Sequence, residues 1–271
     1  MSSIFIPTYR KQKVTTLACL PTTLLDRVVL IVESRAEGKR LTKEFSVKWC
    51  VSPSQGTGVH NVRQWLMSRC RKAGQPLCIM IDDDLRFKIA KFEEGKKRFR
   101  NPLKAEELVK PFSLCEEKAL AHMTGMASFS QAFFNTTREI WEQNKDNAST
   151  YFVNVDVASK SKARFYLPSV DDCAFMLETV LAGYELWSLS TVATVKVGKQ
   201  GGGGEASVGD RGRRHEDAIF ALVKRFPKYV SSRKTTNKAY RENYGTDTMI
   251  VKRLAAMWKA VKAGKEVEHY E

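Results

Sequence analysis

Residues 77 to 87 read LCIMIDDDLRF, five apolar residues followed at once by three aspartates. A strand that is apolar at every position has both faces covered, which is the environment of a central strand in a sheet flanked by helices. The carboxyl end of such a strand is where open α/β sheets place ligands. Three neighbouring carboxylates repel one another unless a cation or hydrogen-bond donors offset them. Strand alternation sends Asp82 and Asp84 to one side and Asp83 to the other, so the first and third converge. That pair suits a hard divalent ion, Mn²⁺ or Mg²⁺, which takes oxygen ligands and shares them with a diphosphate. The competing account is a solvated turn with a helix N-cap.

The flanking sequence reads as the remainder of such a sheet. Ser3 to Pro7 (SIFIP) and Arg27 to Glu33 (RVVLIVE) are apolar, β-rich runs, and Phe45 to Cys50 is a weaker third. Val14 to Leu25 reads as a helix cut at Pro21, giving a strand, helix, strand opening and a parallel sheet. After the turn Gln55-Gly56-Thr57-Gly58, helical spacing runs from Val59 to Cys70 and stops at Gly74. Tyr151 to Val157 is a further strand, Asp171 to Ala182 a helix closed by Gly183, and Tyr184 to Leu189 the strand after it. Two helices finish the chain, Glu216 to Arg225 and Met249 to Ala263, the second with Val251, Leu254, Trp258 and Val261 on one face. The expected fold class is α/β, a Rossmann-type, mostly parallel sheet flanked by helices.

Charge narrows the partners. Lys and Arg number 45 against 30 Asp and Glu, a formal +15 over 271 residues, which favours a polyanion or a phosphate-bearing ligand. Lys91 to Lys110 is dense in charge and reads as an exposed loop entering a helix. Its cluster Lys96, Lys97, Arg98 and Arg100 around Phe99 is either solvated surface or a grip on a nucleic-acid backbone. The six cysteines form no CxxC pair and read as reduced core thiols. MSSIFIPTYRK has no signal-peptide core, and no apolar run approaches the roughly 18 residues of a membrane helix. A soluble, cytoplasmic protein without a membrane anchor is the expectation.

The order IPTYR, RVVLIVE, QGTGVHNVRQWL and IMIDDD resembles a GT-A nucleotide-sugar glycosyltransferase. In that resemblance IDDD is the DxD motif. Asp82 lies near the nucleoside and shares the metal with Asp84, while Asp83 adjoins the donor but points away by strand alternation. Thr8, Tyr9 and Arg10 approach base or phosphate, Glu33 the base, and Arg63 the sugar nucleotide. SVDDCAFMLETVLAGYELW resembles the downstream element whose acid pair opens a helix. By that likeness Asp172 is the general base of an inverting transfer, with Asp171 assisting. The pair reads Asp-Asp where the family form is Glu-Asp. Ser169 to Asp172 also has the spacing of a capping box, which is the alternative. His215 is the candidate for the further metal-ligating histidine. His122 reads as a buried structural histidine.

Within the GT-A enzymes the nearest resemblance is to the TET/JBP-associated glycosyltransferases, widespread in bacteriophages, which modify hydroxymethylated pyrimidines in DNA. It implies a nucleotide-sugar donor, UDP-linked, and a DNA base as acceptor, in a phage-infected cell. One domain over 1–271 is expected, with a donor half (1–90), an acceptor and catalytic half (91–230) and a helical extension (231–271). The base must leave the duplex stack, with Phe99, Phe133, Phe134 or Tyr151 as candidates to fill the gap. Lys199 to Arg214, with four consecutive glycines, is either a lid carrying Arg211, Arg213 and Arg214 to the diphosphate or a surface loop. The alternatives in other classes are a non-enzymatic basic nucleic-acid-binding protein and a metal-dependent nuclease or phosphotransferase. Oligomeric state is left open.

Overall fold

The computed structural model describes residues 2–269 except 10, 12, 54–57, 94, 95, 103, 132–138, 146–148 and 198–209, with backbone alone at 92, 93, 96, 239 and 243. β1 (Ile4–Pro7), β2 (Val28–Val32), β3 (Lys48–Val51) and β4 (Leu77–Ile81) form a parallel block in the order β3-β2-β1-β4. Their connections carry α1 (Thr22–Leu25), α2 (Arg35–Leu41) and α3 (Val59–Lys72). The chain steps from β1 outward to β2 and β3, then returns to place β4 on the other side of β1. That reversal opens a crevice at the carboxyl ends of β1 and β4, the usual ligand position in such sheets.

The sheet continues from β4 through β9 (Thr150–Asn154), β7 (Thr124–Gln131), β10 (Glu185–Lys196), β5 (Leu85–Glu93) and β6 (Lys96–Arg100), with β8 (Trp141–Gln143) beside β10. β9, β5 and β8 run against the others, so seven of the ten strands described in this sheet share one direction. The α/β class with a mostly parallel sheet is as expected. All five side chains of β4 are buried, with Cys78 and Met80 on the face covered by α3 and Leu77, Ile79 and Ile81 on the other. Each such burial contributes about 1.5–3 kcal/mol relative to exposure.

One face is closed by α3, α5 (Val155–Ser161), α6 (Asp171–Leu181), α7 (Arg211–Arg225) and α9 (Leu254–Lys262). The other is closed by α4 (Val109–Leu120), where Phe87, Phe112, Phe129 and Phe152 pack edge to face with centroids 5.1–6.2 Å apart. A small antiparallel pair, β11 (Val230–Lys234) with β12 (Thr248–Lys252), brackets α8 (Lys238–Tyr244).

Several elements differ from the sequence reading. Val14 to Leu25 is a 3-10 turn (Thr15–Cys19) followed by α1, because Pro21 interrupts any longer helix. α2 was not expected, although Ser34 and Glu37 announce it: the serine hydroxyl accepts from the Glu37 amide and the Glu37 carboxylate accepts from Glu33 N. The strand at residue 151 stops at Asn154, whose side chain caps α5. Met249 to Ala263 divides into β12 and α9, since Met249, Ile250 and Val251 pair with Arg233, Ser232 and Ser231; the extension is therefore not wholly helical. The charged stretch after residue 90 is a hairpin, β5 with β6, rather than a loop. His122 is exposed, not buried.

Candidate active site

The aspartate turn is pinned through its main chain. Thr16, fully buried, donates its hydroxyl to Asp82 O (2.7 Å) and accepts from Leu85 N (2.9 Å). Asp82 N donates to Ser149 O, Thr16 N to Asp83 O, and Val197 N to Asp84 O, at 2.8–3.2 Å. A turn held from three sides carries its carboxylates on a fixed frame. Thr16 and Ser149 were missed by sequence reasoning, since nothing in either segment marks it as a partner of residues so far along the chain.

Alternation holds beyond the end of the strand. Asp83 is buried on the α4 side, 3.6 Å from Lys11 and within reach of the Thr8 hydroxyl; burial pushes its carboxyl up to about 7, against the pull of Lys11. Asp82 faces the α3 side, and Asp84 follows it in the turn. Asp82 meets two cations there, Arg63 Nη2 at 2.7 Å and Lys196 Nζ at 3.0 Å. Burial alone would raise its pKa, but Lys196 and Arg63 bring it below the ordinary value. Lys196 lies at the end of β10, opposite Leu85. Its ammonium is held well above its usual pKa, first by Asp82 and also by Asp84. Sequence reasoning missed this lysine too, because only strand register brings residue 196 beside residue 82. Asp84 is raised by burial, which outweighs Lys196, and its Oδ1 is buried with no hydrogen-bond partner among the described residues.

Arg63 joins the two acidic motifs. Lying on the buried face of α3 and 5% exposed, it donates Nη1 to Asp171 Oδ2 and Nη2 to Asp82 Oδ1, both at 2.7 Å. Its guanidinium lies 4.6 Å from the centre of the Tyr151 ring. Burial works against the charge, yet Asp171, Tyr151, Asp82 and Asp172 hold its pKa well above normal. Tyr151 is 2% exposed, its hydroxyl accepting from Ser149 N. It supports Arg63 and is sealed from any entering base, contrary to its place among the stacking candidates.

The capping box at Ser169 does not form. The residue capping α6 is Val170, without a side-chain cap, and Ser169 adopts a left-handed φ of 57°. Its hydroxyl instead meets His215 Nδ1 at 2.9 Å, while His215 Nε2 meets the Tyr240 hydroxyl at 2.8 Å. Tyr240 donates to Thr248 O (3.2 Å), so Nε2 carries the imidazole proton and Nδ1 accepts from Ser169. His215 is 2% exposed and stacks on Tyr244 at 4.4 Å; burial, then Arg211, lower its pKa to about 4. Both ring nitrogens of the expected metal ligand are thus engaged in a clamp on the turn that opens α6. Beyond that turn Asp171 is buried on Arg63, while Asp172 is half-buried and its Oδ1 accepts from Cys173 N (2.8 Å).

Tyr9 and Glu33, half-buried, follow β1 and β2 at the same sheet edge; Arg10, Phe133 and Phe134 lie outside the described residues. So do residues 198–209 of the expected lid, but Arg211, Arg213 and Arg214 belong to the first turn of α7. Arg211 sits 5.3 Å from the Tyr244 ring centre and Arg213 pairs with Asp217. α7 approaches α8 so closely that a side chain on Gly212 would strike Gly245 O at 2.4 Å.

For a divalent ion, the buried and unpartnered Asp84 Oδ1 is the fitting donor, with Asp82 beside it. Among the described residues no three His, Cys, Asp or Glu side chains converge on one point. An ion bound here would need to fill its shell from elsewhere, as Mg²⁺ does with substrate phosphates and water. Residues 2–204 match the family model described as TET-Associated Glycosyltransferase. No curated protein is similar enough to the chain to be matched with it.

Proposed function

The chain belongs to the TET-associated glycosyltransferase family, and on that premise we propose that it moves a sugar from a nucleotide-sugar, UDP-linked, to the hydroxymethyl group of a modified pyrimidine in DNA. The observation that carries the reading is Arg63, whose two nitrogens tie the donor-side Asp82 to Asp171 in the pair that opens α6. One guanidinium thereby fixes the spacing between Asp82 on the donor side and the first turn of α6, which carries Asp172 next to Asp171.

In this reading Asp172, the more open of its pair, accepts the proton of the acceptor hydroxyl as that oxygen attacks the anomeric carbon. The bond from that carbon to the diphosphate breaks on the opposite side, inverting the centre. Asp84 and Asp82 are the residues that would hold a divalent ion, and such an ion would supply positive charge beside the diphosphate. Lys196 adds a cation on the same side and Asp171 stays on Arg63, orienting it. His215 remains with Ser169 and Tyr240 rather than joining the ligands. The formal +15 supports a polyanionic acceptor, and presenting the base outside the duplex costs a few kcal/mol.

The test is mass spectrometry of DNA containing hydroxymethylcytosine or hydroxymethyluracil after incubation with Mn²⁺ and a panel of sugar donors. A mass increment of one hexose or related sugar is expected. Asp172→Asn is expected to abolish transfer while binding donor as wild type does. Loss of donor binding in that variant refutes the assignment of the base, and absence of binding to every nucleotide-sugar refutes the function.

A further inference from the structure

The β5–β6 hairpin takes no part in the chemistry above, yet residues 86–100 hold seven lysines and arginines against two glutamates, a third of the surplus positive charge of the chain. β5 begins directly after Asp84. Its first part, Leu85 to Ile89, pairs with β10, and its second part, Ile89 to Glu93, pairs with β6. Beyond Ile89 the ribbon therefore runs past its pairing with β10, at the edge of the sheet. A two-stranded ribbon of this kind is marginal by itself, and like charges directly across such a pair destabilise it. Here Lys91 stands opposite Arg98, both exposed. On the other face Lys97 lies 5.5 Å from the Phe99 ring centre. Lysines on an edge strand discourage aggregation, but that role asks nothing of Arg86 and Lys88, which lie where β5 is paired with β10.

We infer that this ribbon is a docking arm for the backbone of duplex DNA, with Lys91 and Arg98 as a paired phosphate contact; the inference rests on the reading of DNA as acceptor. Phosphates lying across two opposed cations interact favourably with both, and neutralised phosphates release counterions. Lys91 is six residues beyond Leu85, roughly 20 Å along an extended strand. That distance corresponds to about six base pairs of duplex, so the contact falls on phosphates well away from the target base.

The experiment measures anisotropy of a labelled 20-base-pair duplex with one central hydroxymethylcytosine, across a salt series, using the full chain. The variants are Lys91→Gln with Arg98→Gln, and as control Lys238→Gln with Lys259→Gln, two exposed lysines on α8 and α9. The hairpin variant is expected to bind about tenfold more weakly near 0.1 M salt, and its slope of log affinity on log salt is expected to fall by about 2. The control is expected to match wild type. Transfer to a modified trinucleotide, too short to reach the ribbon, is expected to be unchanged in the hairpin variant. Its melting temperature is expected to match that of wild type, which separates lost docking from lost fold. Wild-type affinity and slope in the hairpin variant overturn the docking arm and leave the acceptor reading intact. An equal loss in the control assigns binding to diffuse charge and also overturns it. Failure of the wild-type protein to bind the duplex removes the acceptor reading and the arm together.

Discussion

Replacing Arg63 by methionine keeps most of its volume and removes the cation shared by Asp82 and Asp171. The consequences for the two acids differ. Asp171 is 3% exposed, so its carboxylate stays buried after its ion pair is gone. Asp82 is more open, at 18% side-chain exposure, and retains Lys196 at 3.0 Å. Removing one partner of a buried pair destabilises by about 3–5 kcal/mol, chiefly through the charge left behind. Loss of the contact with Tyr151 adds about 1 kcal/mol that no second-site change returns. For a chain of this size the sum lowers the melting temperature by roughly 10 °C. Arg63→Met combined with Asp171→Asn should therefore recover at least half the loss, because a neutral amide tolerates the buried position. Arg63→Met with Asp82→Asn should recover clearly less. The assay is thermal and urea unfolding of wild type, the three single variants and the two double variants, read as two double-mutant cycles. Equal rescue by the two asparagines, or an Arg63→Met variant within 1 kcal/mol of wild type, refutes the asymmetry and with it the view that Arg63 chiefly serves Asp171.

Lys196 occupies Asp82 Oδ2, so it competes with a divalent ion for the same carboxylate. Because the lysine is half-exposed the competition amounts to about 1 kcal/mol, and Lys196→Met should bind Mn²⁺ about fivefold more tightly without donor, by calorimetry or electron paramagnetic resonance; unchanged or weaker binding contradicts this. His215 supplies one pH dependence, opposite in sign to that of the raised Asp83 carboxyl. Its folded pKa of about 4 lies below the ordinary 6.5, so the folded state binds fewer protons than the unfolded one. The contribution is complete above pH 6.5 and is lost as pH falls through 4, on the order of 3 kcal/mol in all. Urea titrations at pH 7.5 and 4.5 should show a smaller difference for His215→Gln than for wild type, and identical differences rule the clamp out.

What the sequence revealed follows the range of the interactions concerned. β4 is legible because five consecutive apolar residues admit few environments, and the opposed directions of Asp82 and Asp83 follow from the pleat alone. α3 and α6 are legible from periodicity and from Gly74 and Gly183, both at positive φ. The hairpin was misread because β6, KKRFR, is charged at four of its five positions and carries no period-two signal, although the alternation of Leu85, Phe87 and Ile89 with Arg86 and Lys88 marks the start of β5. At the site, the acids were found by their clustering. The groups that hold them were found only in part: Arg63 was expected beside a donor, whereas its two partners lie 19 and 108 residues away in the chain. Thr16, Lys196 and the Ser169, His215 and Tyr240 chain depend on which segments the sheet sets side by side, and no local pattern encodes that.

The double ion pair of Arg63 also sets an order in time. On the ribosome Asp82 follows Arg63 by 19 residues, but Asp171 follows by 108. At 5–20 residues per second that gap is roughly 5–20 s, during which α3 carries a guanidinium with only its first acid yet made. The strands β1 to β4 can pair in that interval, but closing the space around Arg63 with half its counter-charge missing costs about 3–5 kcal/mol. Closure of the amino-terminal part around Arg63 is thus favoured only once α6 has been synthesised, and a product truncated before Asp171 is expected to exclude water from this interior less well than the full chain.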